Sequence, residues 1–174
     1  MTRERVADPP SPFASAWIAR LRPHAGAAAR ALDVAMGRGR HAALLAAAGY
    51  DTFGVDRNIE ALRAACAAIP RLHAWCADLE SYPLPRARFD VVVVTRYLQR
   101  DLFEALRDAI VPGGAVIYET FTVDQIRHRR GPTSPDHLLE PGELEARFAG
   151  FDVLEYEEVS ESDAVARIAA RKRP

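Results

Sequence analysis

Asp33 stands in a short apolar run, Ala31–Ala35, that leads into Gly37-Arg38-Gly39, and Asp56 closes the next apolar run. Glycines at this point let the backbone pass close to a ligand, and a helix starting near Arg40 would aim unpaired N–H groups at it. A carboxylate at the end of the second strand can accept both hydroxyls of a ribose. Glycine loops after strands also serve as plain turns, but here strand, loop, helix and ribose acid occur in order. The chemistry implied is the binding of a nucleoside-containing cofactor. Two details argue against a nicotinamide dinucleotide. Ala35 replaces the first glycine of the dinucleotide fingerprint, and Asp33 would repel a pyrophosphate. A carboxylate there suits a cation, such as the ammonium of a methionine moiety, and S-adenosylmethionine carries a ribose and an amino-acid head without phosphate.

The run Asp33-x-Ala35-x-Gly37-x-Gly39-Arg40-His41 resembles motif I of the class I S-adenosylmethionine-dependent methyltransferases. It is similar in particular to small bacterial members related to the tellurite-resistance methyltransferases. The likeness continues through Ala77-Asp78-Leu79-Glu80, Phe89–Thr95, Pro112-Gly113-Gly114, Tyr118-Glu119-Thr120-Phe121 and Pro141-Gly142-Glu143-Leu144. The resemblance implies that Asp33 takes the methionine ammonium, directly or through water. It implies that Ala35, Gly37 and Gly39 line the methionine and ribose with backbone, and that Asp56 binds the ribose hydroxyls with Arg57 beside the adenine. Asp78 matches the acid that hydrogen-bonds the adenine amino group, with the Leu79 amide facing a ring nitrogen. Thr95 matches the backbone that meets the methionine part. Arg38 and Arg40 are candidates to pair with the cofactor carboxylate; a solvated position is the alternative for each.

Methyl transfer from a sulfonium is an in-line displacement, so the protein must align an acceptor and exclude water. Soft acceptors need no general base, whereas hydroxyls and protonated amines do. The pocket for the acceptor belongs at the carboxyl ends of the strands, built from the leading arm, the loop after the fourth strand and residues 120–140. Thr95-Arg96-Tyr97-Leu98 stands where amino-methylating enzymes acting on DNA bases and glutamine carry an Asn/Asp-Pro-Pro-aromatic signature, which is missing. Relatives tend to have asparagine at the place of Arg96, which points to an altered acceptor preference. Tyr97 is a candidate acceptor-orienting group or base, with packing as the bland alternative. The stretch from about 122 to 140 carries Arg127, His128, Arg129, Arg130 and His137. These basic groups could recognise an anionic acceptor such as a carboxylate or oxyanion, or form a solvated charged loop. His128 and His137 are candidate bases near neutral pH. Glu119 is read as a structural hydrogen-bond acceptor. No grouping of histidines, cysteines and acids has metal-ligand spacing.

The elements that position these groups follow from periodicity. Strands are expected at about 31–35, 52–55, 72–76, 89–94 and 115–119, with a closing antiparallel pair at 153–157 and 164–170. Helices are expected at about 13–21, 39–48, 59–68, 98–110 and 143–148, and residues 111–114 as a turn. Phe89–Val94 is almost wholly apolar and β-branched, as a central parallel strand buried on both faces requires. The expected architecture is an α/β, Rossmann-like, doubly wound sheet of seven mostly parallel strands with an antiparallel closing strand and helices on both faces. Residues 1–12, with their prolines and mixed charge, are expected to form a flexible arm, and 13–174 one domain.

A chain of 174 residues that is 49% apolar and 27% charged is an ordinary globular domain with a net charge of −1. That balance offers no general attraction to nucleic acid or to an anionic membrane. Cys66 and Cys76 are two thiols without a disulfide or metal pattern, no apolar run approaches a membrane span, and the start is unlike a signal peptide. A cytoplasmic location is expected. The leading function is methyl transfer from S-adenosylmethionine to a small-molecule acceptor. The alternatives are an RNA or protein methyltransferase and a non-catalytic cofactor-binding subunit that needs a partner.

Overall fold

The structure is a computed structural model that describes residues 9–23 and 28–174. It contains α1 (Pro12–Arg20), β1 (Arg30–Val34), α2 (Arg40–Ala47), β2 (Asp51–Asp56), α3 (Ile59–Ala68), β3 (His73–Cys76) and β4 (Phe89–Thr95). These are followed by α4 (Leu102–Ala109), β5 (Ile110–Phe121), α5 (Glu143–Arg147), β6 (Phe151–Ser160) and β7 (Ala164–Lys172). The strands form one seven-stranded sheet in the order β3-β2-β1-β4-β5-β7-β6. The first five pair in parallel, and β7 runs antiparallel to both β5 and β6. This is the Rossmann-like arrangement expected.

Successive side chains of a strand point to opposite faces, so β4 serves two cores at once. Val91 and Val93 pack with Phe13, Trp17 and Ile18 of α1 and Leu45 of α2. Val92 and Val94 pack with Leu102, Phe103 and Leu106 of α4 and Leu144 and Phe148 near α5. That is why the strand reads as a continuous apolar run rather than an alternating one. Local signals set the helix starts. The Ser11 hydroxyl accepts from the Ala14 amide at 3.1 Å and Pro12 fills the first helical position of α1. The Asn58 side chain caps α3 by accepting from Glu60 and Ala61.

Four details differ from the sequence expectation. Helix α4 begins at Leu102 rather than 98, because residues 98–101 are drawn into tertiary contacts: Gln99 donates to the Leu79 carbonyl, and Arg100 pairs with Glu143. Strand β5 starts at Ile110, and the expected turn at 111–114 bulges out of it as the register jumps from Phe89 opposite Ile110 to Val91 opposite Ala115. The segment 122–140 is not featureless, since 3-10 turns form at Val123–His128 and Pro135–His137. Of the arm expected at 1–12, residues 1–8 lie outside the described residues, while Pro12 already belongs to α1. Among the described residues no helix is long and apolar enough to cross a membrane.

Candidate active site

The corner between β1 and α2 is held together by the two carboxylates that first drew notice. One oxygen of Asp56 accepts from the Gly37 amide at 2.7 Å, and the other from the Asn58 amide at 2.8 Å. The carboxylate is thus fixed between the glycine loop and the start of α3, and each oxygen keeps lone-pair capacity for a further donor. Asp33 is almost fully buried and accepts from the Ala42 amide at 2.9 Å, which caps α2 from beneath. Burial pushes its pKa up to about 7, against the lowering pull of the Ala42 amide and Arg40. Ala35 has a φ of +52°, in the left-handed region. That conformation favours glycine and strains a residue with a Cβ, which explains why glycine is usual at this place.

Across the carboxyl ends of the strands lies a cleft of about 500 Å³. Ala35, Asp56, Arg57, Asp78, Leu79 and Tyr97 line it, as do Ala77, Glu80, Arg96, Leu98, Gln99, Thr120, Phe121, Pro132 and His137. Eight of the residues singled out from sequence, Ala35, Asp56, Arg57, Asp78, Leu79, Arg96, Tyr97 and His137, therefore converge on one cavity. Asp78 stands in a tight turn in which its side chain accepts from the Glu80 amide at 3.1 Å. The Tyr97 hydroxyl donates to the Gln99 amide oxygen at 2.5 Å, and Gln99 reaches the Leu79 carbonyl at 3.3 Å. This relay ties the loop after β4 to the loop after β3. Burial, then the Asp78 and Glu80 carboxylates, push the Tyr97 phenol above its ordinary pKa. A hydroxyl so committed and so hard to ionise can orient a neighbour but is a poor base at neutral pH.

The remaining predicted residues lie off the cleft. Gly37, Arg38 and Gly39 form the loop behind Ala35, with Arg38 exposed. Arg40 turns toward the leading segment and donates to the Pro9 carbonyl at 3.1 Å. The Thr95 side chain is buried, with its hydroxyl 3.1 Å from Nδ1 of His41. His128 is not in the cleft: the 3-10 turn directs it to the Ser160 hydroxyl, 3.2 Å away at the end of β6. The arginine-rich stretch follows it, with Arg127 paired to Asp124 at 3.1 Å and Arg130 to Asp163 at 3.1 Å. The basic groups of the cleft are Arg57, Arg96 and His137. Glu119 lies 3.8 Å from Arg167, an ion pair between β5 and β7. Gln99, Thr120, Phe121 and Pro132 also line the cleft, from the loop after β4 and the 120–140 stretch expected to build the pocket, although none of them was named singly as a site residue. Among the described residues no group of three His, Cys, Asp or Glu could hold a metal ion.

The wall formed by residues 132–143 is pinned from the segment just before α4. Arg100 makes a two-pronged bond to Glu143, at 2.8 and 2.9 Å, and its guanidinium also donates to the Leu138 carbonyl at 2.8 Å. Burial alone would raise the Glu143 carboxyl, but hydrogen bonds from Arg100, the Glu140 amide and Arg147 overcome it and bring the pKa down to about 2. A depressed carboxyl contributes stability that is full above the unfolded value of 4.5 and is lost as pH falls toward about 2. Arg100→Ala is expected to destabilise the fold by about 2 kcal/mol in denaturant titration at pH 7. The deficit relative to wild type should shrink as the pH is lowered from 5 to 3.

Comparison with known proteins follows the same lines. Residues 31–114 match the profile of the methyltransferase domain. A solved S-adenosylmethionine-dependent methyltransferase from Mesorhizobium loti superposes with a TM-score of 0.72 at 19% identity, over 91% of this chain and 98% of that one. TehB from Haemophilus influenzae superposes with a TM-score of 0.73 at 18% identity, over 91% of this chain and 61% of its own. A TehB-like methyltransferase from Corynebacterium glutamicum gives 0.69 at 15% identity, over 94% and 89% of the two chains. No curated protein sequence matches the chain. At such identities the superpositions speak for the fold, and the profile match over the glycine corner speaks for the family. Residues 31–114 thus carry a methyltransferase domain, within a chain that has the fold of solved S-adenosylmethionine-dependent methyltransferases.

Proposed function

We propose that this chain transfers the methyl group of S-adenosylmethionine to a small anionic acceptor. The observation that carries the reading is the polarity of the cleft. Asp56, Asp78 and Glu80 stand with Arg57 at the ends of β2 and β3, whereas Arg96, 3.8 Å from the Asp163 carboxylate, and His137 stand across it beside β5. The acidic half fits a nucleoside, with Asp56 for the ribose hydroxyls and Asp78 with the Leu79 amide for the base. The fit rests on Asp56, whose two oxygens are fixed by backbone amides while keeping capacity for two more donors. The cofactor supplies a methyl group already activated on a sulfonium. Buried Asp33 would favour the cationic amino-acid head from behind the Ala35–Gly37 backbone.

The chain's own residues then have to hold and aim the acceptor. Arg96 supplies a guanidinium for its charged group, Phe121 and Pro132 an apolar wall, and Tyr97 a phenol held in place by Gln99. Arg96 has a φ of +54° and its backbone amide donates to the Glu119 carbonyl at 2.8 Å. The strained backbone turns the chain sharply out of β4 at the point where the acceptor is to be met. His137 is the imidazole that lines the cleft and so the candidate base for an acceptor that must lose a proton, and a soft acceptor would not need it.

The test is a screen of small carboxylates and oxyanions with labelled cofactor, followed by Arg96→Ala with the acceptor found. The variant should raise the acceptor KM roughly 30-fold, the loss of about one charge-assisted hydrogen bond. Affinity for S-adenosylhomocysteine should change less than about twofold, as expected for a contact made with the acceptor alone. Turnover of neutral acceptors only, or an equal loss of both affinities, would overturn the reading.

A further inference from the structure

His41 plays no part in the site described so far, yet its environment is specific. It is the second residue of α2 and only 1% exposed, and it bridges two separate parts of the chain. Its Nε2 lies 3.0 Å from the backbone nitrogen of Ser11, and its Nδ1 3.1 Å from the hydroxyl of Thr95. A backbone amide can only donate, so Nε2 must be bare and accept. The ring proton then sits on Nδ1 and is donated to Thr95. One neutral imidazole in one tautomer thereby joins the N-terminus of α1 to the end of β4.

The tie does not act alone. The Ser11 hydroxyl caps α1, the Ser15 hydroxyl donates to the Ser11 carbonyl at 2.7 Å, and Arg40 holds the Pro9 carbonyl. Two adjacent residues of α2, Arg40 and His41, thus fasten residues 9–11. These residues wall a second chamber of about 250 Å³ that also contains Arg96, Glu119 and Arg167. Arg96 borders both this chamber and the cofactor cleft. The leading segment is therefore the outer wall behind the arginine assigned to the acceptor.

We propose that His41 is a positioning residue that latches residues 9–12 over the acceptor end of the cleft, and that protonating its ring releases them. A proton on Nε2 would set one N–H against another in a site closed to water. The charged groups around the ring work against protonation on balance. Arg40 stands next to it in α2 and Arg96 at the end of β4, while Asp33 lies beneath the first turn of α2 on β1. Glu119 of β5, Arg167 of β7, and Glu161 and Asp163 of the β6–β7 turn line the adjoining chamber. Burial first, and then Arg40 and Arg96, lower the pKa from 6.5 to about 4. A histidine held down in this way contributes stability that is full above about 6.5 and is lost as pH falls toward about 4. The latch is closed at neutral pH, where a shut wall keeps water from the acceptor, and opens on acidification.

The test reads the latch itself, on the full chain and without any acceptor. Nitrogen-15 spectra of the imidazole should show His41 neutral with the proton on Nδ1 at pH 6, where a free histidine is largely protonated. Protection factors of the amides of residues 11–15 should fall at least about tenfold between pH 6 and pH 4, with the β1 and β4 amides still protected. His41→Gln retains an acceptor for the Ser11 amide but cannot be protonated, and it should abolish that acid-induced fall. His41→Leu should lose the protection already at pH 7, with S-adenosylhomocysteine affinity changed less than about twofold because the ring does not line the cleft. A proton on Nε2, or an acid transition in His41→Gln equal to that of wild type, would overturn the proposal. Both of these readouts remain decisive if His41→Leu does not fold.

Discussion

Asp56→Ala is expected to weaken S-adenosylhomocysteine binding by about 100-fold, corresponding to two charge-assisted hydrogen bonds to ribose hydroxyls or about 3 kcal/mol. The carboxylate has two duties that the variant removes together. It offers acceptors to the cleft, and it holds the glycine loop through the Gly37 amide at 2.7 Å. Asp56→Asn separates them, because an amide oxygen can still accept one of the two backbone donors while its NH₂ faces the other. The asparagine variant should keep the melting temperature within a few degrees yet bind the nucleoside about tenfold more weakly. Calorimetry with S-adenosylhomocysteine and adenosine measures both. Unchanged affinity in Asp56→Ala would remove the ribose assignment, since Asp56 is the carboxylate at the end of β2 in this cleft.

The second large effect lies in the fold beneath the site. Gly39→Ala should destabilise the protein by about 3 kcal/mol, the sum of a left-handed backbone carrying a Cβ and an overpacked contact. Gly39 caps α2 with a φ of +78°, and a Cβ built there would lie 2.8 Å from Ile69 Cδ1 and 3.2 Å from Ala65 Cβ. The loop is thus pressed onto α3, and the neighbour on that side is packed with Met36, Leu62 and Ala65 rather than free to swing. For a chain of this length the melting temperature should drop by about 10 °C in calorimetry. A change below about 2 °C would mean that α3 yields easily, and that the close approach does not hold the loop in place. Ala35→Gly is the converse case. With its φ of +52° relieved it should stabilise by about 1 kcal/mol.

How much of this was legible in the chain depends on the range of each interaction. The order of strands and helices was written in apolar periods, because a parallel strand buried on both faces must be apolar throughout, and Phe89–Val94 is. Asp56, Asp78 and Tyr97 were legible for a related reason. In a doubly wound sheet the carboxyl ends of the strands face one crevice, so a residue's place just past a strand decides its place in the cleft. Ala35 was legible as a departure from glycine, but its positive φ was not.

The residues between 122 and 140 were read least well, since nothing periodic fixes their direction. Two histidines and three arginines share that neighbourhood, and only the folded chain shows that His137 turns into the cleft while His128 turns to Ser160. The start of α4 fell four residues later than periodicity suggests, because Gln99 and Arg100 are held by groups far away in sequence. His41 is the sharpest instance. By itself it is a polar residue in the first turn of an alanine-rich helix, and its partners Ser11 and Thr95 lie 30 and 54 residues away.

The sequence by itself therefore determined the sheet, the glycine corner and the carboxylates at the ends of β2 and β3, because these depend on local period and on position at strand ends. Only the tertiary structure decided which basic groups line the cleft, what holds the wall at 132–143, and what the buried imidazole joins. Those outcomes rest on hydrogen bonds and ion pairs between distant segments, whose partners are chosen by packing and leave no periodic trace in the chain.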